Sequence, residues 1–250
     1  MNLFQSINKW FNVKIFGDSG STNSKEYKLL ILGDKGVGKT SLCNRFLKNE
    51  FNLEVKSTTQ SECFMKELFL LEHIIHLYII DINEHILSND RSHLYSNVNG
   101  AIILFDLTKS KSFEGIDKWI IDLKQNTSNN LPILIVGNKS DLTFLRNIDY
   151  EEGLNKAISY NCDFFETTCI LDKSVEEAFK IIVARIYYNE MSNEQKNMVK
   201  LKLYQAMNQE ENKTEVKRQL DKINKFNLDD EDDVAVPENQ EKTEKNNENK

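Results

Sequence analysis

The sequence predicts an α/β fold of three layers: a six-stranded, mostly parallel sheet with one antiparallel strand, covered by helices on both faces. Three observations lead there. Short apolar runs alternate with helix-period segments from Tyr27 to Ala184, the pattern of a parallel sheet built with crossover helices. The second and third runs are separated only by Leu71, Glu72 and His73, too little chain for a crossover, so these two strands form an antiparallel hairpin. A glycine-rich stretch, Gly33 to Thr40, joins the first apolar run to the first helical pattern.

Taken in order, the strands are expected at Lys28 to Leu32, Cys63 to Leu71, Ile74 to Ile80, Ala101 to Phe105, Ile133 to Val136 and Asp163 to Glu166. Helices are expected at Ser41 to Lys48, Ser112 to Gln125, Tyr150 to Tyr160 and Ser174 to Tyr188, where apolar residues recur at intervals of three and four. This places one domain at residues 27–190. Residues 1–26 form an N-terminal extension in which Leu3, Phe4, Ile7, Trp10 and Phe11 fall on one side of a helix, a segment for packing or for a partner, with a membrane surface as the alternative. Gly17 to Ser24 reads as a connector. Spaced apolar residues among charges predict a helical extension over residues 191–226, and the Glu-, Asp- and Asn-rich residues 227–250 predict a disordered acidic tail.

Composition narrows the function classes. A net charge of −7 offers no basic stripe for nucleic acid. The cysteines Cys43, Cys63, Cys162 and Cys169 lack paired spacing, which speaks against zinc and against a disulfide framework and for a reducing interior. No apolar run approaches the roughly 18 residues needed to span a bilayer. Asn2 excludes myristoylation, and the Asn-Glu-Asn-Lys ending lacks a prenylation motif, so a cytoplasmic pool with peripheral attachment to endomembranes through the first helix or a partner is expected.

The strongest signal is Gly33, Asp34, Lys35, Gly36, Val37, Gly38, Lys39 and Thr40, a full GxxxxGK[ST] between a strand and a helix. Its glycines let the backbone curl with amides inward, and the helix N-terminus adds partial positive charge, so the run, together with Ser41, forms a phosphate cradle. Lys39 reaches the β- and γ-phosphates, and Thr40 offers its hydroxyl to Mg²⁺. At the exit of the fifth strand, where ligands of open α/β sheets collect, stand Asn138, Lys139, Ser140 and Asp141.

With those two motifs in place, the chain resembles the Ras superfamily and, within it, the Rab proteins. The likeness runs through Lys28 to Gly33, Leu42 to Phe46, Leu104 to Thr108, Ser112-Phe113, Trp119, the Glu166-Thr167-Thr168-Cys169-Ile170 loop and Val175 to Phe179, and so spans about Tyr27 to Tyr188. The resemblance implies a P-loop NTPase fold of the small G-domain type that binds GTP and GDP with Mg²⁺. It implies that Asp141 accepts two hydrogen bonds from guanine, a donor pair adenine lacks, while Asn138 braces the loop and Lys139 lies over the ring. Phe51 meets the guanine edge, and the Thr168, Cys169 and Ile170 loop meets its carbonyl. Thr58 is the switch threonine that joins Thr40 on Mg²⁺ in the GTP state, and Asp81 holds a metal-bound water.

The pattern breaks after Asp81. Rab proteins continue Thr-Ala-Gly-Gln-Glu, whereas this chain has Ile82, Asn83, Glu84, His85 and Ile86. Glutamine orients the attacking water, and His85 is the candidate to replace it, as histidine does in translational GTPases; an ordinary loop histidine is the competing reading. Lys35 occupies a position that is small in Rab proteins, and Thr59 to Cys63 loses the Ile-Gly-Val-Asp-Phe effector signature. The family analogy implies a nucleotide switch in vesicle trafficking with slow GTP hydrolysis, exchange and activating factors, and effectors. A pseudo-GTPase scaffold that binds guanine nucleotide but hydrolyses little is the alternative.

Overall fold

The computed structural model describes residues 23–51, 61–70, 73–82, 92–128 and 130–198. Thr58, Glu84, His85, most of the N-terminal extension and the acidic tail lie outside the described residues.

Six strands form one sheet: β1 (Asn23–Leu32), β2 (Glu62–Leu70), β3 (His73–Asp81), β4 (Gly100–Asp106), β5 (Ile133–Asn138) and β6 (Asp163–Glu166), in the spatial order β2-β3-β1-β4-β5-β6. β2 runs antiparallel to β3, with Glu62 opposite Asp81 and Leu70 opposite His73, as the short link predicts. Every other pairing is parallel. The central strands are apolar throughout because both faces are covered. β1 is longer than expected: Asn23 and Ser24 pair with His73 and Ile74, so the connector ends before them. Those first residues are polar, and only the partner strand makes them extend.

Helices α1 (Lys39–Lys48), α2 (Ser92–Tyr95), α3 (Ser110–Glu114), α4 (Ile116–Asn126), α5 (Tyr150–Ser159) and α6 (Asp172–Glu190) complete the described fold. Leu30, Leu32, Ala101, Ile103, Phe105 and Ile135 turn to one face and are buried with Ile116, Trp119, Ile120 and Leu123 of α4 and Ala157 of α5. On the other face α1 packs against α6, where the Phe46 and Phe179 rings stack with centroids 3.8 Å apart. Gly100 leaves room for α6: a Cβ there would stand 2.7 Å from Ile186 Cδ1.

Where one helix was expected over Ser112 to Gln125, two short helices meet at Gly115, whose amide donates to Lys111. A Cβ on Gly115 would come within 2.6 Å of the Asp34 carboxylate, so the junction sits where the Gly33–Thr40 loop presses on the helix pair. α5 opens with a capping box between Asp149 and Glu152. After Met191 the chain turns helical again at residues 193–198, led by a reciprocal Ser192 and Gln195 pair. By packing, the chain divides into Met1–Lys196 and Asn197–Lys250, and all but the last two described residues belong to the first unit.

Candidate nucleotide-binding site

The loop after β1 is shaped by three glycines at positive φ, Gly33 at 138°, Gly36 at 78° and Gly38 at 104°. Gly33 also has no room for a side chain, since a Cβ would stand 2.2 Å from the Leu104 carbonyl oxygen. Gly38 is the N-cap of α1; it provides no side-chain cap, and the first turn of α1 holds no acid. The N-terminal amides and the helix dipole therefore face a concavity that suits an anion. Lys39 arches over this loop, its Nζ donating to the carbonyls of Gly33 (2.6 Å) and Asp34 (3.1 Å).

The Asp34 carboxylate turns away from the concavity and accepts the Trp119 indole N–H at 2.9 Å. Its place in the phosphate set is thus a backbone one. Lys35 and Gly36 are exposed at the loop tip, Val37 is buried, and Ser41 follows in the first turn of α1.

Asp81 lies at the end of β3, only 2% exposed, and its Oδ2 accepts the Thr40 hydroxyl at 2.6 Å. Burial, only partly offset by the Thr40 hydrogen bond and Lys39, pushes this carboxyl above the usual range. A hydroxyl and a carboxylate facing each other beside an anion cradle fit Mg²⁺, which takes oxygen donors and is held by one or two carboxylates plus phosphate and water. Thr40 and Asp81 would hold it there, where it would neutralise phosphate charge. Among the described residues no group of three or more His, Cys, Asp or Glu side chains is placed to hold a metal ion.

The second half of the site follows β5 and β6. Asn138 is 2% exposed; its Nδ2 donates to the Val37 carbonyl at 2.8 Å, and its Oδ1 accepts Thr167 Oγ1 at 3.3 Å and Cys169 Sγ at 3.6 Å. Lys139, at φ 66°, donates to the Gly36 carbonyl (3.0 Å) and to Asp106 Oδ2 (2.6 Å). Two successive residues thus bolt the β5 loop onto the phosphate loop. Asp141 is exposed, and its Oδ1 accepts Thr168 Oγ1 at 2.6 Å, leaving the rest of the carboxylate open to a ligand. Ile170 is exposed, its amide donating to Thr168 Oγ1 at 3.2 Å. The Phe51 ring centroid lies 5.7 Å from the Arg45 guanidinium.

Three residues shape the site without having been given a role in it from sequence. Asp106 is fully buried and anchors Lys139 while accepting the Thr108 amide and hydroxyl. Thr167 fixes the orientation of the Asn138 amide, and Arg45 donates into the Cys169–Ile170 loop. The signal available was the Leu104 to Thr108 stretch, whose buried strand ends in a carboxylate that requires a cation.

A parallel sheet with a glycine phosphate loop after β1, a hydroxyl–carboxylate pair beside it and a base-side loop after β5 defines a P-loop nucleotide-binding protein of the small G-domain class. A sequence model of the Ras family matches residues 28–188, and the chain belongs to that family, with a Rab-like character. It is similar to Ras-related protein RABA1b of Arabidopsis thaliana, 36% identical over 162 residues, which cover 64% of this chain and 75% of that protein. GTP-binding protein ypt3 of Schizosaccharomyces pombe is also 36% identical over 162 residues, 64% of this chain and 76% of its own. Ras-related protein Rab-11A of Dictyostelium discoideum is 33% identical over 163 residues, 65% and 76% of the two chains. Proteins of this family in general bind guanine nucleotides with Mg²⁺ and act through protein partners. No helix among the described residues is long and apolar enough to cross a membrane.

Proposed function

We propose that this chain is a Rab-like switch that binds GDP and GTP with Mg²⁺, hydrolyses GTP slowly and serves vesicle trafficking. One observation carries the nucleotide assignment: Asn138 and Lys139 donate into the carbonyls of Val37 and Gly36, so the phosphate loop and the base-reading loop form one braced unit with Asp141 presented at its open side. Gly33 to Ser41 take the phosphates. Asp141 reads the guanine N1–H and amine, with Phe51, Asn138, Lys139, Thr168, Cys169 and Ile170 around the base. Thr40 and Asp81, joined by Thr58 in the GTP state, hold the metal.

Slow hydrolysis follows from the replacement of the family's Gly-Gln by Glu84-His85, in which His85 orients water less effectively than glutamine. Single-turnover hydrolysis of bound GTP tests this. The wild type should turn over slowly and His85→Ala more slowly still, and hydrolysis undetectable in both contradicts the enzymatic part while leaving the binding part standing. The trafficking role is supported by likeness to the Rab and ypt3 proteins. With that role we infer a cytoplasmic pool with peripheral attachment to endomembranes, and effectors and exchange or activating factors as partners, which fractionation with and without residues 1–16 checks.

A further inference from the structure

Arg45 leaves the last turn of α1 and ends in a planar fork between three pieces of chain. Its Nε donates to the Cys169 carbonyl at 2.8 Å and its Nη2 to the Ile170 carbonyl at 3.1 Å. Its Nη1 donates to both the carbonyl and the side-chain oxygen of Asn49, each at 3.0 Å, at the residue that caps α1 in the left-handed region at φ 56°. The guanidinium also lies 5.7 Å from the centroid of the Phe51 ring.

We propose that Arg45 is a positioning residue of the guanine site: it holds the Cys169–Ile170 backbone in place for the purine 6-oxygen and ties that loop to the end of α1 and to Phe51. The geometry requires a fork. Two consecutive carbonyls are taken from one side by Nε and Nη2, which fixes the Cys169–Ile170 and Ile170–Leu171 peptide planes, directly after the Cys169 amide. A lysine would reach one carbonyl with a point charge and leave the other peptide free. Within the loop the Ile170 and Leu171 amides donate to Oγ1 and the carbonyl of Thr168, at 3.2 Å and 3.3 Å, and Arg45 ties the Cys169 and Ile170 carbonyls to α1.

This inference rests on the guanine-binding reading, and the experiment separates the two. Affinities of GDP and of 2-aminopurine riboside diphosphate, which keeps the 2-amine but lacks the 6-oxygen, are measured by calorimetry with Mg²⁺ for wild type, Arg45→Ala and Arg45→Lys. Arg45→Ala is expected to weaken GDP roughly tenfold, the worth of about one good hydrogen bond, and to leave the weaker 2-aminopurine nucleotide unchanged. Arg45→Lys, which keeps the stem and the charge and therefore the fold, shows the same selective loss at smaller size. Equal weakening of both nucleotides, or no weakening of GDP in either variant, overturns the assignment. Failure of the wild type to bind either nucleotide overturns the guanine-site reading and this inference with it.

Discussion

At Gly38 the backbone φ is 104°, and a Cβ would stand 2.3 Å from Asn138 Nδ2. Gly38→Ala therefore strains the backbone and pushes Asn138 off the Val37 carbonyl, and GDP affinity should fall more than roughly tenfold, as a nucleotide-exchange assay would read. Gly36 has open space around its Cα, so any cost there comes from its φ of 78° alone. Asp106 gives a pH signature. Burial by itself would raise its carboxyl, but hydrogen bonds from Lys139 and Thr108 outweigh burial and hold it below the usual carboxylate value. A depressed folded pKa stabilises above the unfolded value and is lost as pH falls through the folded one. Asp106→Asn should thus cost about 1–3 kcal/mol at neutral pH, with the gap to wild type closing as the pH drops below the ordinary carboxylate range, in urea titrations across that window. Of these residues the glycines and Asp141 were legible because their motif states the chemistry. Asp106, Thr167 and Arg45 were not, because their importance lies in which neighbour the folded chain brings to them.

α1 links the two ends of the site as an element. Its N-terminus faces the phosphate concavity, and its last turn is fixed by Phe46 on Phe179 and receives Lys66 of β2 on the Phe46 carbonyl, with Lys66 Nζ also 4.1 Å from the Phe46 ring centroid. Phe46→Ala removes a buried aromatic from the α1–α6 contact and should lower unfolding free energy by about 3–5 kcal/mol, seen as a lower denaturant midpoint with an unchanged slope. α4 reaches the phosphate loop through Trp119. Trp119→Phe keeps most of the apolar volume but removes the donor to Asp34, so a loss of about 1–3 kcal/mol is expected from the unpaired carboxylate, and nucleotide release should quicken. The strands and long helices were readable from period alone, since apolar alternation and 3.6-residue spacing survive whatever the tertiary context. The division at Gly115 was not, because it depends on Asp34 from a distant loop, and the added first residues of β1 extend by pairing with β3.

Across the whole molecule, sheet order does the assembling. β1 and β5 flank β4, so the loops leaving their C-terminal ends lie close enough for Asn138 and Lys139 to grip the phosphate loop, while β3 on the other side of β1 delivers Asp81 to Thr40. Ligands of open α/β sheets bind at this edge, which is why motifs a hundred residues apart in sequence form one site. Of the departures from the Rab pattern, Lys35 stands exposed at the tip of the phosphate loop and Ile170 is exposed in the loop after β6. The most direct measurement is calorimetric titration of nucleotide-free protein, wild type and Asp141→Asn, with GDP and xanthosine diphosphate in the presence of Mg²⁺. A carboxylate prefers the guanine donor pair, whereas a carboxamide can donate to the xanthine 2-oxygen. Tight GDP binding by the wild type and a shift of preference toward xanthosine diphosphate in Asp141→Asn are expected. Absence of binding heat with GDP, or an unchanged base preference in the variant, would contradict the guanine-site reading.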